Sequence, residues 1–256
     1  SPLLIGLTLV GFGTSTPELV ASVSAALAGS PGIAMGNVVG SNVANVFLVL
    51  GLGVVLLPFT LDRAAFIRDS LVLVACAAAC LGVVLWGTAE RGIGLGLLGL
   101  LVAYSVFSIL GERRPGDPAG AVHAALAEGA LPRPMSLPLG LLLTLGGIAA
   151  VVLGADRLVG SAIVLARDLG VSEAVIGVTL VAIGTSLPEL AATVAAARRG
   201  HTDLAFGNIV GSNIFNILGI LGTTALVAPI EVPPEIARFD IWVMTAAFGL
   251  MALFGA

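Results

Sequence analysis

The sequence predicts an all-α polytopic membrane protein built as an inverted-topology repeat, and three observations carry that prediction. The first is composition: 58% of the 256 residues are hydrophobic and 10% charged, with a mean hydropathy of +1.12, far outside soluble globular usage. The second is an internal duplication, in which residues 1–51 align without a gap against residues 172–222 and agree at 27 positions. The third is the odd offset between corresponding apolar spans, which forces the two copies into opposite orientations across a bilayer.

The spans follow from stretches of about 20 apolar residues, the length that crosses a hydrocarbon core as helix. Eight are predicted: Pro2 to Leu27, Ile33 to Leu57, Ser70 to Trp86, Ile93 to Leu110, Leu137 to Leu165, Val175 to Ala197, Leu204 to Ala228 and Ile241 to Ala256. Spans one and two belong to the first copy and spans six and seven to the second, five apart. The register persists beyond the aligned core, because Pro58 matches Pro229 and Asp69 matches Asp240, each 171 residues on.

The span Leu137 to Leu165 precedes the second copy with no counterpart ahead of Ser1, and Ile93 to Leu110 has no counterpart after Ala256. The expectation is therefore two five-helix halves, ten helices in the intact protein, of which eight lie in this chain. Residues 1–111 form the first half, lacking its first helix. Residues 112–136 form a polar linker with prolines, three acids and Arg113, Arg114 and Arg133. Residues 137–256 form the second half, lacking its last helix. With the linker in the cytoplasm, Arg63, Arg68, Arg113, Arg114, Arg133, Arg198 and Arg199 lie inside. Arg91, Arg167 and Arg238 lie outside, which satisfies the positive-inside rule. The expected location is the cell membrane.

Composition also excludes functions. All eleven basic residues are Arg, the net charge is −4, and no basic run could track a phosphate backbone, so nucleic acid is not a partner. Cys76 and Cys80 stand four apart in an apolar span and read as small apolar fillers. His123 falls in the linker and His201 in a short loop, so a hydrolase with a paired nucleophile and base is not supported. Asp156 and Arg157, near the end of the Leu137 span, read as an interfacial ion pair. Arg68-Asp69 and Arg238-Phe239-Asp240 mark the entrances of matching helices.

Chemistry concentrates in two duplicated motifs. Gly13-Thr14-Ser15-Thr16-Pro17-Glu18 corresponds to Gly184-Thr185-Ser186-Leu187-Pro188-Glu189. The second motif, from Gly36 through Asn37, Gly40, Ser41 and Asn42 to Asn45, corresponds to Gly207 through Asn208, Gly211, Ser212 and Asn213 to Asn216. Glu18 and Glu189 sit inside apolar spans, where a charge costs about 2.5 to 3.5 kcal/mol even on a lenient insertion scale. Pro17 and Pro188 lack an N–H, so the carbonyls of Gly13 and Gly184 lose their helical partner beside each acid. Asn37, Ser41 and Asn45 share one helical face, as do Asn208, Ser212 and Asn216, and a polar face in lipid must turn inward. Ligation and interhelical hydrogen bonding are both open to Asn37, Asn42, Asn208 and Asn213. The glycine pairs Gly36/Gly40 and Gly207/Gly211 read as close helix contacts.

Every donor in these motifs is oxygen, which suits hard cations such as Ca²⁺, with about 6 to 8 oxygens at about 2.3 to 2.6 Å, or Na⁺, and not zinc or copper. Two carboxylates carry −2, enough for one divalent ion or for several monovalent ones. Competition between the two sets gives exchange without a chemical step, so no catalytic residue and no cofactor is called for.

Both motifs, present twice and in register, resemble the two alpha repeats of the sodium/calcium exchanger family within the calcium/cation antiporter superfamily. The resemblance implies an antiporter that exchanges Ca²⁺ for Na⁺ by alternating access, with the Leu137 helix and its counterpart sliding against the core. It implies Glu18 and Glu189 as Ca²⁺ ligands that also share the sodium sites, and main-chain oxygens of Thr14 and Thr185 as Ca²⁺ ligands. Ser15, Ser41, Ser186 and Ser212 would serve sodium, and Asn45 and Asn216 would occupy the middle of the site. Some relatives, including potassium-dependent exchangers, carry Asp where this chain has Asn216, which argues against potassium co-transport here. The implied partners are Ca²⁺, Na⁺ and the lipid bilayer, with no particular oligomeric state. A proton-coupled calcium antiporter and a cation channel use the same buried oxygens, although four hydroxyls favour sodium over a proton.

Overall fold

A helix in lipid must satisfy its backbone internally, so long apolar runs become helices and the exceptions mark positions where something else supplies partners. A computed structural model of the chain describes residues 11–56, 58–59, 63–111, 137–198, 200 and 202–254. Among the described residues the first copy begins with α1 (Gly11–Thr14) and α2 (Thr16–Leu27). The chain continues in α3 (Pro31–Ala44), a wider i→i+5 stretch over Asn45–Leu50, and α4 (Gly51–Leu56). After these come α5 (Arg63–Trp86), β1 (Thr88–Ala89) and α6 (Arg91–Gly111). The 33-residue α7 (Leu137–Leu169) leads into the second copy. That copy contains α8 (Glu173–Ile176), a wider stretch over Gly177–Val181, α9 (Ala182–Thr185) and α10 (Leu187–Arg198). It proceeds through α11 (Thr202–Ile214), a wider stretch over Phe215–Ile220 and α12 (Leu221–Val227). It ends with β2 (Ile230–Glu231), a wider stretch over Ile236–Asp240 and α13 (Ile241–Phe254).

Six continuous helices among the described residues are long and apolar enough to span, running over Pro31–Leu56, Phe66–Trp86, Arg91–Ser108, Pro138–Leu169, Ala205–Val227 and Ile236–Leu253. A seventh span is the pair Glu173–Thr185 and Leu187–Arg198, bent by 43°. The predicted first span runs through residues 1–10, which lie outside the described residues, as does the predicted linker at 112–136.

Three contacts agree with opposite orientation of the copies. Thr88 pairs with Glu231 and Ala89 with Ile230 in an antiparallel ladder, joining the end of α5 to the end of α12. The start of α3 meets the start of α8, where a Cβ on Gly32 would lie 2.9 Å from the Cβ of Glu173. At the other end Phe66, near the start of α5, stacks on Phe206 near the start of α11, with ring centroids 5.4 Å apart. The inverted arrangement requires each of these ends to share a membrane face. Gly29 (φ 74°) and Gly200 (φ 78°), 171 residues apart, close the first helix of each copy in the left-handed conformation that favours glycine.

The two copies cross through α3. Gly36 and Gly40 lie against the backbone of Ala174, Gly177 and Val178, and Gly177 lies against Ile33. This fulfils the close-contact expectation for Gly36 and Gly40, whereas a Cβ on Gly207 or Gly211 would meet no described atom within 4 Å. Such a crossing buries α3 on every side from Gly32 to Asn42, so the expected single polar face becomes a helix with no lipid-facing side over that stretch. By contrast α7 lies at the edge, and among its described side chains the buried ones are Ala155, Val159, Ala162 and Ala166, a seam of small residues at helical spacing. Leu139, Leu142, Leu143, Leu145, Leu153 and Leu169 face outward, while Leu158 and Leu165 pack half-buried beside the seam.

One smaller expectation is revised. Asp156 and Arg157 form no ion pair with each other; both side chains are exposed on α7 near Ser161 and Asp168. Arg68 and Asp69 do pair, at 2.8 Å, in the second turn of α5. Cys76 and Cys80 are buried free thiols, as expected of fillers.

Candidate functional site

Each proline opens the helix where the spacing requires. Pro17 and Pro188 stand at the second position of α2 and α10, where a missing N–H is tolerated, and Ser15 and Ser186 occupy the junctions before them. Those serines have φ,ψ of −88°, 7° and −83°, 5°, outside the α-helical range. Regular helix resumes at once, since Leu19 N–H donates to the Ser15 carbonyl and Leu190 N–H to the Ser186 carbonyl, both at 3.1 Å. The acids thus fall in the first turn of a helix, where the positive end of the helix dipole favours negative charge.

The structure brings the two junctions together. Ser15 Oγ donates to Glu189 Oε1 at 2.8 Å, and Ser186 Oγ donates to Glu18 Oε1 at 3.1 Å. Each serine serves the acid of the other copy, so neither half contains a complete site. Ser212 adjoins this centre, its Oγ 3.4 Å from Ser15 Oγ. Both glutamates and both serines are at most 1% exposed. S15A and S186A are each expected to cost about 1 kcal/mol, a fall of about 2–4 °C in Tm. Thermal unfolding in detergent checks this, and equal shifts for the two variants are the signature of reciprocal bonding.

The second motif surrounds the junctions from α3 and α11. Asn37 Oδ1 accepts from Thr185 Oγ1 at 3.0 Å and from Ser41 Oγ at 3.5 Å. Asn45 Nδ2 donates to Asn213 Oδ1 at 3.1 Å across the copies, and Asn42 Nδ2 donates to the Val38 carbonyl at 2.8 Å. Asn45 and Asn216 are respectively the first and second residues of the widened turns of their helices, where an i→i+5 pattern displaces the backbone. Thr14 is half-buried at the end of α1, beside Ser15. All ten residues singled out from sequence therefore lie at the two junctions or on the helices that flank them.

Five buried oxygens in this cluster accept no hydrogen bond: Glu18 Oε2, Glu189 Oε2, Asn42 Oδ1, Asn45 Oδ1 and Asn216 Oδ1. Buried acceptors without donors are costly, and carboxylate oxygens most of all. Among the described residues no group of three or more His, Cys, Asp or Glu side chains converges. The cluster instead offers two carboxylates and neutral oxygens, a donor set that fits a hard cation. Sequence left the roles of Asn37 and Asn213 open; the duplication marked them, but only the fold supplies their partners.

Known proteins resemble this chain closely. The family described as sodium/calcium exchanger protein matches residues 1–110 and 139–256. The chain is 39% identical to the inner membrane protein YrbG of Escherichia coli over 259 residues, covering 98% of this chain and 78% of the relative. It is 33% identical to the sodium/calcium exchanger MaX1 of Methanosarcina acetivorans, covering 99% and 81%. Among solved structures, one of the sodium-calcium exchanger NCX_Mj matches with a TM-score of 0.69 at 30% identity, covering 99% of this chain and 79% of that one.

Proposed function

The chain belongs to the sodium/calcium exchanger family, whose members are calcium/cation antiporters, and we propose that it exchanges Ca²⁺ for Na⁺ across the cell membrane at a site built on Glu18 and Glu189. The observation that carries this reading is the pair of buried carboxylate oxygens, Glu18 Oε2 and Glu189 Oε2, that accept no hydrogen bond and approach from opposite copies.

In this reading Ca²⁺ is bound by Glu18 and Glu189 together with main-chain oxygens of Thr14 and Thr185. Ser15, Ser41, Ser186 and Ser212 contribute to sodium sites around the same acids, and Asn45 and Asn216 supply amide oxygens at the centre. One divalent ion or a set of monovalent ions neutralises the −2 charge, and each excludes the other. Crossing the low-dielectric bilayer with that charge uncompensated is prohibitive. Only the loaded protein therefore changes sides, which couples the two gradients. The Ala155, Val159, Ala162 and Ala166 seam supports α7 as the sliding element, since small side chains give a smooth contact with little interdigitation to break.

The test is Ca²⁺ uptake into proteoliposomes under an outward Na⁺ gradient, an outward H⁺ gradient or none, with membrane potential clamped. Uptake driven by Na⁺ alone is the expected result. Uptake driven by H⁺ alone would assign proton coupling, and gradient-independent flux would assign a channel.

A further inference from the structure

Around a symmetric centre the two copies are bonded differently. The 171-residue register pairs Ser22 with Thr193 and Asn37 with Asn208. In the first copy Asn37 Nδ2 donates to Ser22 Oγ at 2.8 Å and to the Glu18 carbonyl at 3.1 Å, tying α3 to α2. In the second copy the corresponding atoms, Asn208 Nδ2 and Thr193 Oγ1, are buried and make no hydrogen bond. Serine and threonine offer the same hydroxyl to the same amide. What differs is that the Asn208 amide and the Thr193 hydroxyl do not meet, so the difference is one of conformation.

A second pair of contacts breaks symmetry in the same sense. Asn45 Nδ2 reaches Asn213 Oδ1 at 3.1 Å, whereas its mate, from Asn216 to Asn42, is unmade: Oδ1 of both Asn42 and Asn216 accepts nothing. The Ser15–Glu189 and Ser186–Glu18 bonds are meanwhile made in both directions. An inverted repeat with a symmetric centre and unequal flanks has a mirror state of equal chemistry, in which the other flank is bonded.

We propose that Asn37 and Asn208 are alternating latches, positioning residues that close the α2–α3 hairpin onto Ser22 and the α10–α11 hairpin onto Thr193 in turn as the protein changes sides. The two hairpins turn at Gly29 and Gly200, on opposite membrane faces, so each latch seals one face. In the structure the Gly29 face is latched and the Gly200 face is released. Asn37 additionally holds Thr185 through its Oδ1, so closing the first latch also fixes the second copy's helix break. This proposal rests on the exchanger reading for its functional meaning, but not for its structural test.

That test is hydrogen exchange of the full chain in detergent, compared with calcium exchange resolved by membrane face. In the wild type, amides of residues 19–27 should exchange about three- to tenfold more slowly than those of 190–197 after correction for intrinsic rates, the value of one hydrogen bond. N37A and S22A should erase that difference, and N208A should leave it. In right-side-out and inside-out vesicles, N37A and N208A should move the apparent Ca²⁺ affinity at a given face in opposite directions, about three- to tenfold. Equal protection of the two segments in the wild type overturns the proposal, as do shifts of the same sign for both variants, which a merely structural role would give. A protein that exchanges no calcium would refute the exchanger reading and leave the latch to be judged on hydrogen exchange alone.

Discussion

Glu18→Gln and Glu189→Gln are each expected to abolish gradient-driven Ca²⁺ uptake while leaving the fold intact. Gln keeps the shape of the side chain and can still accept from Ser186 or Ser15, so the reciprocal bonds survive in geometry. It removes one unit of negative charge from a site with two acids and replaces an anionic oxygen by a neutral amide. Losing one partner of a buried charge pair costs about 3 kcal/mol or more, so Ca²⁺ affinity should fall by about 100-fold or more. Calcium binding by isothermal titration, with uptake by reconstituted vesicles, measures both consequences. The pseudo-twofold arrangement adds a sharper expectation: the two variants should be equally impaired, because each acid is 1% exposed and each is served by one serine of the other copy. A variant that retained full uptake would remove that acid from the site.

The second large effect falls on the fold. At Gly40 any side chain would drive its Cβ into the carbonyl oxygen of Val178, and it would lie 2.6 Å from Val178 Cα and 2.8 Å from the Ala182 Cβ. Two of those three atoms are backbone and cannot swing aside, so the helices must separate. Gly40→Leu is therefore expected to destabilise the protein by about 3 kcal/mol or more, the upper range of overpacking. Loss of a monodisperse peak in size-exclusion chromatography and a large drop in Tm are the readouts. Because α3 carries Asn37 and Ser41 and leads directly into Asn45, any folded remainder should also bind Ca²⁺ weakly. Gly40→Ala should act in the same direction with a smaller shift.

Much of the candidate site was legible in the linear sequence, because lipid makes polar residues conspicuous. Glu18 and Glu189 stood out through the cost of a buried charge, and Pro17 and Pro188 through the amide each lacks. The Asn37–Asn45 and Asn208–Asn216 stretches stood out through helical spacing. Duplication then doubled every signal, which separates selected positions from incidental ones. The odd helix offset fixed the relative orientation of the copies before any contact was known, and the Thr88–Glu231 and Phe66–Phe206 contacts agree with it.

Other features depend on long-range approach and leave no local trace. That Ser15 bonds Glu189 and not its own neighbour Glu18 is a consequence of two half-sites meeting across 174 positions of sequence. The widened turns that begin at Asn45 and Phe215 could not be read from composition, since apart from one Asn each and Gly219 they hold the apolar residues of a regular membrane helix. The full burial of α3 arises because Gly36 and Gly40 admit the second copy's backbone, which hides what would otherwise be a lipid-facing side.

By itself, then, the sequence determined the class of the protein, the identity of its polar residues and the inverted relation of its halves. Hydrophobic length, helical period and side-chain charge are local properties, and a bilayer reads them directly. Only the tertiary structure decided which serine serves which acid, which oxygens are left without donors, and which of two chemically equivalent hairpins is latched. Those depend on the distance between helices, and two copies of one motif can settle at different distances while their sequences remain nearly the same.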